Sequence, residues 1–174
     1  MKVSETNLKG VVLIDLESFE DHRGEYLSIH DVSKYKDFGI DLSFLQDSVI
    51  FSKKNVLRGI HGDEKTWKLI SCLKGEIYQV VINCDKTSDN FGKWTSFYLS
   101  DKKRQQILIP PKHGNAFLIL SDDAIYNYKQ STNYEPQHQF SYRWDDPLFS
   151  IKWPVTNPIL SKRDSETKFI SHLK

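Results

Sequence analysis

The reactive side chains of this sequence are a histidine, a lysine, two tyrosines and a distant aspartate. His61 follows one apolar segment, and Lys68 interrupts another. Tyr126 and Tyr128 alternate along a short strand-like run, and Asp164 comes much later in the chain. A neutral histidine oriented by an aspartate is a competent general base, an ammonium group can stabilise an enolate oxygen, and a tyrosine can deliver a proton. Such a set suits removal of a proton next to a carbonyl and its return to the opposite face, which is epimerisation.

Each of these residues also has a plain structural interpretation. A single histidine is often a packing or surface residue, strand tyrosines usually pack in a core, and an aspartate in a turn is usually solvated. Strand alternation places Lys68 on the same face as Ile70 and Cys72, where an ammonium needs a partner or a ligand. On an edge strand the same lysine would instead extend to water. Spacing alone does not bring the four kinds of side chain together.

A metal site is not expected. Metal-binding barrels commonly use about three convergent ligands, often two of them as His-x-His, but Gly62 and Asp63 follow His61. Lys68 stands where a further carboxylate ligand would be needed, and its positive charge opposes a cation. We therefore predict neither a metal nor another cofactor. The remaining histidines lack metal-ligand spacing: His22, His30, His113, His138 and His172.

Many short β-type segments, separated by turn residues, must position these side chains. They are rich in Val, Ile, Tyr, Phe and Thr, which is typical of a sandwich or barrel. One short helix is predicted over 31–38, with Asp31 or Ser33 as its N-cap. The turns at 74–75 and 121–123 are predicted to close hairpins. The predicted strands are 11–15, 25–30, 44–52, 55–60, 67–73, 76–83, 95–100, 105–110, 116–121, 124–129, 139–144 and 149–153.

The predicted fold is all-β, a cupin-like jelly-roll barrel with short peripheral helices. Strands without long crossover helices pair antiparallel, and a closed or stacked arrangement protects their edges. No repeat, low-complexity tract or linker divides the chain, so residues 1–174 are predicted to form a single domain. The open mouth of such a barrel can hold a small ligand.

The composition narrows the classes of partner. Lys and Arg number 24 against 23 for Asp and Glu, a net charge of +1 that argues against a nucleic-acid-coating surface. No apolar run approaches the ~20 residues of a membrane helix. The short apolar stretch ending at Asp15 falls short of the ~7–15 residues of a secretory signal, so a cytoplasmic location is expected. Cys72 and Cys84 lie in apolar strand-like segments, which suits buried thiols better than a disulfide.

A series of motifs in order along the chain resembles one known family. No single motif is decisive, but their order and spacing together are specific. The chain is similar to the dTDP-4-dehydrorhamnose 3,5-epimerase family of nucleotide-sugar-modifying cupins. The motifs are FEDHRG (19–24), FLQD (44–47), SKKNVLRGIH (52–61), WKL (67–69), GE (75–76), IP (109–110), YK (128–129), WDDP (144–147), WP (153–154) and LSKRD (160–164).

The resemblance implies roles for the catalytic residues. His61 matches the family's catalytic base, and Asp164 matches the carboxylate that pairs with it. Tyr128 matches the general acid, and Lys68 matches the lysine near the keto oxygen of the sugar. The family is metal-independent.

The resemblance also implies how substrate is bound. Arg23 and Arg58 match arginines on the diphosphate, where guanidinium groups bind phosphate oxygens well. Phe19 and Gln46 match positions that contact the nucleotide. Those contacts lie partly across a dimer interface, so a homodimer with a shared nucleotide site is implied. Asn115 is a predicted sugar-binding residue that stands where the common pattern has a histidine.

The substrate implied is a nucleotide-diphospho-4-keto-sugar, epimerised at C3 or at both C3 and C5 in bacterial surface-polysaccharide biosynthesis. The run 111–117 is similar to a branch that includes epimerases of GDP-4-keto-heptoses for capsules, so both that substrate and a dTDP-4-keto-6-deoxyhexose are considered. Two alternatives stay open. One is a nucleotide-sugar 3,4-ketoisomerase, which moves the carbonyl, and the other is a non-catalytic sugar-nucleotide-binding cupin.

Overall fold

The structure, a computed structural model, describes residues 1–172. This part of the chain consists mainly of antiparallel strands, with the short helices α1 (Val32–Asp37) and α2 (Lys162–Glu166). Two single 3₁₀ turns lie at Pro136–His138 and Ile170–His172. The strands are β1 (Lys2–Glu5), β2 (Val12–Asp15), β3 (Ser18–Asp21), β4 (Gly24–Leu27), β5 (Gln46–Lys53), β6 (Leu57–Asp63), β7 (Lys68–Lys74), β8 (Glu76–Asn83), β9 (Trp94–Ser100), β10 (Gln105–Ile109), β11 (His113–Ile119), β12 (Asp123–Gln130) and β13 (Gln139–Ser141).

Two sheets face each other and form the jelly-roll barrel. One has the strand order β1-β2-β10-β7-β12-β5 and the other β13-β6-β11-β8-β9, with antiparallel pairing throughout both. Strands β3 and β4 form a separate two-stranded hairpin. The predicted all-β, cupin-like architecture is therefore confirmed.

The largest core cluster lies between the two sheets. It joins Ile70 and Tyr126 of the first sheet to Ile77 and Phe117 of the second. Apolar residues at alternate positions of each strand point inward, as the period of two in a β-strand requires. Cys72 belongs to the same cluster and, like Cys84, is a buried free thiol. No helix in residues 1–172 is long and apolar enough to cross a membrane.

Helix α1 forms where it was predicted. The side chain of Asp31 accepts hydrogen bonds from the backbone N–H groups of Ser33 and Lys34 at 3.0 and 3.2 Å, so Asp31 is the N-cap. The helix buries a single residue, Tyr35, against the outer face of the six-stranded sheet.

The two turns that were predicted to close hairpins instead connect the sheets. Gly75 lies between β7 and β8, and Ser121 lies between β11 and β12, and each pair of strands belongs to different sheets. The two turns pack on each other, because the Ser121 hydroxyl accepts a hydrogen bond from the Glu76 N–H at 2.8 Å. The hairpin prediction was wrong because a tight turn fixes the chain reversal but not the partner strand.

One predicted strand is absent and other elements were not predicted. The segment 149–153 packs Phe149, Ile151 and Trp153 against the second core cluster, but it belongs to neither sheet. Ser150 adopts a φ of 48°, which interrupts the β conformation. The predictions did not include β1, β3 or α2, all of which are only four or five residues long.

Candidate active site

The largest concentration of predicted site residues lines a cavity of about 310 Å³ at one end of the barrel. The inner faces of the two sheets form its walls, and the turn leading into α2 closes one side. Side chains of both charges meet there with a small apolar surface. The lining residues are Ile50, Arg58, His61, Lys68, Asn115, Phe117, Tyr126, Tyr128, Gln130, Tyr134, Gln139, Ser161, Arg163 and Asp164.

An irregularity between β6 and β11 aims four side chains into this cavity. Asn115 pairs with His61, but two residues further on Phe117 pairs with Arg58, three residues back along β6. In a regular strand, residues three apart point to opposite faces. The extra residue of β6 is a β-bulge, and it allows both Arg58 and His61 to face inward.

Gly59 lies within the bulge and leaves no room for a side chain. Its φ is +126°, and a Cβ atom there would lie 2.5 Å from the Cβ of Ala116 and 2.7 Å from the carbonyl oxygen of Asn115. Glycine is the residue that tolerates both the backbone conformation and the close approach. Gly59 is thus required for the bulge that directs Arg58 and His61 into the cavity.

His61 and Asp164 form a hydrogen-bonded pair. The Nε2 atom of His61 lies 2.6 Å from Oδ1 of Asp164, and the two residues are 103 apart in sequence. Ser161 caps α2 by accepting from the Asp164 N–H at 3.1 Å, which fixes the carboxylate at the cavity wall. Because a carboxylate can only accept a hydrogen bond, pairing with the buried Asp164 places the proton of a neutral His61 on Nε2 and leaves Nδ1 as the available base.

The environment of Asp164 favours its charged form. Burial by itself raises the pKa of the carboxyl, but the hydrogen bond and charge of His61 lower it, with help from the N–H of Gly59. The net result is a pKa below the ordinary value for aspartate. The pair therefore keeps a carboxylate beside the imidazole, where it stabilises the imidazolium that forms on proton uptake.

Lys68 lies on the opposite wall, on β7 of the six-stranded sheet. It is 8% exposed and faces the cavity. Burial is the main cause that lowers its pKa, the charge of Asp63 opposes this, and the charge of Arg163 adds to it. A desolvated ammonium in a cavity is costly unless an anionic group meets it. The expected inward orientation of Lys68 is found, and the edge-strand alternative is wrong, because β7 lies between β10 and β12.

The two tyrosines of β12 differ in what they contact. Tyr126 is fully buried, stacks on Phe117 with ring centroids 3.9 Å apart, and bonds through its hydroxyl to Asn115. Tyr128 lines the cavity half-buried, and its hydroxyl forms no hydrogen bond with any residue of 1–172. Of the two, Tyr128 has the hydroxyl that is free to reach a ligand.

The predicted binding residues fall into two groups. Arg58 and Asn115 line the cavity, and Nε of Arg58 donates to the Ser52 hydroxyl at 3.1 Å. Phe19 and Arg23 instead lie on the exposed hairpin of β3 and β4, away from the cavity.

Gln46 also falls outside the cavity lining. It lies on β5 directly opposite Gln130, which is a lining residue, and its amide donates to the Ser48 hydroxyl at 3.1 Å. One chain therefore assembles all four predicted catalytic residues, but only two of the five predicted binding residues.

Other cavity residues were not predicted. Arg163 precedes Asp164 and donates to the Ser141 hydroxyl at 2.6 Å, so its position beside a motif residue was the available signal. Gln79 supports the cavity floor from β8, and a glutamine in the middle of an apolar strand was its signal. Tyr134 and Gln139 carried no signal. Within residues 1–172, no group of three or more His, Cys, Asp or Glu side chains is placed to hold a metal ion.

Comparisons with known proteins give consistent names. The family model described as dTDP-4-dehydrorhamnose 3,5-epimerase matches residues 5–172. A dTDP-4-dehydrorhamnose 3,5-epimerase of Methanothermobacter thermautotrophicus is 35% identical, over 94% of this chain and 91% of that protein.

Solved structures agree. The Bacillus anthracis dTDP-4-dehydrorhamnose 3,5-epimerase, with TDP and PPi bound, superposes with a TM-score of 0.92 at 32% identity, covering 97% of this chain and 99% of that one. The Legionella pneumophila dTDP-6-deoxy-D-glucose-3,5-epimerase, in complex with dTDP-4-keto-L-rhamnose, gives a TM-score of 0.93 at 30% identity, covering 99% and 94%.

Proposed function

Because this chain belongs to the dTDP-4-dehydrorhamnose 3,5-epimerase family, we propose that it inverts C3, alone or together with C5, of a dTDP-4-keto-6-deoxyhexose. Its enzymatic class, a carbohydrate epimerase, is that of its named relatives. The residue roles, the nucleotide and the oligomeric state are part of this proposal. So are a cytoplasmic location and a place in surface-polysaccharide synthesis.

The observation that carries the proposal is the placement of a base and an acid on opposite walls of one cavity. His61 comes from β6 of the five-stranded sheet, and Tyr128 comes from β12 of the six-stranded sheet. A sugar ring held between them presents one face to each residue. Inversion of a carbon centre requires a proton to leave on one face and another to arrive on the other, which this arrangement supplies.

The first step is proton removal next to the ketone. The C4 carbonyl acidifies the C–H bonds at C3 and C5. Nδ1 of His61 takes the proton, and the electron pair of the broken C–H bond moves to the C4 oxygen as an enolate. Asp164, bonded to Nε2 at 2.6 Å, stabilises the resulting imidazolium.

Lys68 and Tyr128 complete the reaction. The buried ammonium of Lys68 meets the negative charge on the enolate oxygen, where a low-dielectric site strengthens the attraction. The Tyr128 hydroxyl then donates its proton to the opposite face of the carbon, and the C4 carbonyl re-forms. His61 loses its proton to solvent and Tyr128 regains one, so the new C–H bond carries hydrogen from water.

The charge of the cavity supports a nucleotide-diphospho-sugar. Arg58 and Arg163 border the same space as Lys68, and guanidinium groups suit phosphate oxygens. Two solved relatives bind TDP or a dTDP-4-keto-sugar, which favours the dTDP substrate over the GDP-4-keto-heptose considered from the sequence.

A second copy of the chain is part of the proposal, because two predicted nucleotide-binding residues lie away from the cavity. Phe19 is 64% exposed at the hairpin, and among residues 1–172 the guanidinium of Arg23 bonds only to Asp21, two residues earlier. A homodimer in which each hairpin reaches the partner's cavity would bring these residues to the nucleotide. The exposed apolar side chain of Phe19 would then be covered.

Solvent deuterium tests the reaction. The chain is incubated in heavy water with dTDP-4-keto-6-deoxyglucose and, in parallel, with a GDP-4-keto-sugar, and the sugars are examined by NMR. We expect deuterium at C3, or at both C3 and C5, of the dTDP-sugar, with the carbonyl still at C4. Absence of exchange with every 4-keto-sugar would refute the epimerase proposal.

The same spectra separate the alternatives. A carbonyl that moves to C3 would indicate the 3,4-ketoisomerase, and binding of the sugar nucleotide without exchange would indicate the non-catalytic cupin. Label confined to C3 would identify a 3-epimerase, whereas label at both carbons would identify a 3,5-epimerase.

A further inference from the structure

The backbone fixes the orientation of a buried glutamine below the cavity. Gln79, on β8, is completely buried, and its Nε2 lies 3.0 Å from the carbonyl oxygens of both Val80 and Ala116. If the amide were turned over, its oxygen would face these two carbonyl oxygens and repel them. Nε2 must therefore point toward β11, where Oδ1 of Asn115 also lies 2.5 Å away, so its two protons are shared among three oxygens, of which that of Asn115 is the nearest.

This contact fixes the amide of Asn115 in turn. Since Oδ1 accepts from Gln79, Nδ2 is directed away from Gln79. Nδ2 lies 3.1 Å from the hydroxyl of Tyr126, whose ring is held by its stack on Phe117. An amide nitrogen carries two protons. Tyr126 accepts one, and the second has no partner among residues 1–172.

Asn115 also occupies a central place in the site. It pairs directly with His61 across the sheet, bonds to Tyr126 of the opposite wall, and lines the cavity that holds His61 and Tyr128. The opposite end of the Gln79 amide is unsatisfied within the described part of the chain, because its buried Oε1 has no hydrogen-bond partner among residues 1–172. A buried acceptor left without a donor costs free energy. The Gln79 amide thus stays oriented with Nε2 toward Asn115, although this orientation leaves Oε1 without a hydrogen bond.

We propose that Gln79 is a positioning residue that holds Asn115 with its N–H directed into the cavity as a donor to an oxygen of the sugar ring. This inference rests on the proposed function for the identity of the ligand. It adds that the site offers the sugar a hydrogen-bond donor, and not an acceptor, at Asn115. The site requires an acceptor oxygen on the sugar at this point. A sugar that lacked this oxygen would leave the N–H of Asn115 unpaired.

The test compares two ligands, dTDP-glucose and dTDP, by titration calorimetry. Asn115→Ala is expected to raise the dissociation constant of dTDP-glucose about tenfold and that of dTDP less than about twofold, since the lost contact is to the sugar. Asn115→Asp keeps the acceptor for Gln79 but removes the N–H, so we expect at least the same sugar-specific loss.

Gln79→Met is then measured in two backgrounds. We expect it to weaken dTDP-glucose binding about fivefold in the wild-type chain and less than about twofold in the Asn115→Ala chain, because its effect passes through Asn115. Gln106→Met is the matched control. Gln106 is another buried glutamine, bonded to Ser71 and outside the cavity, so its replacement is expected to lower the melting temperature without a sugar-specific loss.

Two results would overturn the inference. One is the absence of a sugar-specific loss in the Asn115 variants, either because affinity falls equally for dTDP-glucose and dTDP or because the wild-type chain itself does not bind dTDP-glucose. The other is the same effect of Gln79→Met with and without Asn115. If the variants show the expected sugar-specific losses but the wild-type chain exchanges no deuterium, the positioning role of Gln79 is supported and the epimerase proposal is refuted.

Discussion

The cavity and the β3–β4 hairpin both contain residues with predicted roles, yet the chain organises them very differently. In the cavity, the Asp164 side chain is 3% exposed, and it holds His61 through a hydrogen bond of 2.6 Å. On the hairpin, Phe19 and Tyr26 are 64% and 68% exposed. Among residues 1–172, the ion pair between Glu25 and Arg104 is the hairpin's only salt bridge to the barrel.

The difference fits the roles proposed for the two sets of residues, proton transfer in the cavity and nucleotide binding on the hairpin. Proton transfer requires a base and an acid held in fixed positions before the substrate arrives, and buried hydrogen bonds within one chain can provide this. Binding of a flexible nucleotide tolerates groups that become ordered on contact, at some entropic cost. Under the proposed roles, one chain holds the proton-transfer groups together by itself, while the hairpin presents outward the residues proposed to bind the nucleotide.

The largest effect is expected from His61→Asn. Asparagine can still bond to Asp164 but cannot accept the proton, so kcat should fall by about 10²–10⁴ and deuterium exchange should stop. NMR in heavy water measures both. His138→Asn, at a half-buried position that does not line the cavity, is the matched control and should retain activity. Undiminished exchange in the His61 variant would show that another group is the base.

Lys68→Met should lower kcat by about 10²–10³, because methionine keeps the length of the side chain but cannot stabilise the enolate. The same change removes a desolvated ammonium, so thermal unfolding should occur at an equal or higher temperature. Lys102→Met, in an exposed loop, should change neither quantity. If the Lys68 variant loses stability and keeps its kcat, the lysine is structural.

Arg23→Ala tests the other side of the comparison. Its side chain is 78% exposed, so stability should not change, and kcat should also stay the same. KM for the dTDP-sugar should rise about tenfold, as expected when a charged contact to phosphate is lost. An unchanged KM would show that Arg23 of the hairpin does not bind the substrate.

A mixture of chains extends this test. His61→Asn and Arg23→Ala chains are denatured together and refolded, and activity is measured at low substrate concentration. If each hairpin serves the partner's cavity, mixed dimers contain one site with both an intact base and an intact arginine, and the mixture is more active than either parent. Activity equal to the average of the parents would contradict the shared site.

The smallest effect concerns acid stability. The folded-state pKa of Asp164 is below its unfolded value, so its stabilising contribution is present above the unfolded pKa and is lost as pH falls through the folded pKa. Urea unfolding between about pH 5 and pH 2 should show a steeper loss for the wild type than for Asp164→Asn. Other carboxylates titrate in both proteins and cancel. Parallel curves would contradict the lowered pKa.

Local patterns in the sequence predicted those structural features that depend on residues close together in the chain, namely strands, the first helix and turns. Short runs rich in Val, Ile, Tyr, Phe and Thr predicted most strands, and a cap at Asp31 or Ser33 predicted α1, because both signals depend on residues close together in sequence. The inward direction of Lys68 also followed from alternation along β7. Turn residues predicted where the chain reverses at Gly75 but placed both flanking strands in one sheet, which was wrong.

The sequence by itself determined the all-β class, most of the strands and the chemical types of the reactive side chains, and the resemblance in its motifs indicated the roles that those side chains could have. Only the tertiary structure decided that His61 and Asp164, 103 residues apart, share a hydrogen bond. It also decided that a bulge at Gly59 turns both Arg58 and His61 inward. The physical reason is that alternation and capping act over a few residues, whereas bulges, corners and buried pairs depend on which strands pack together.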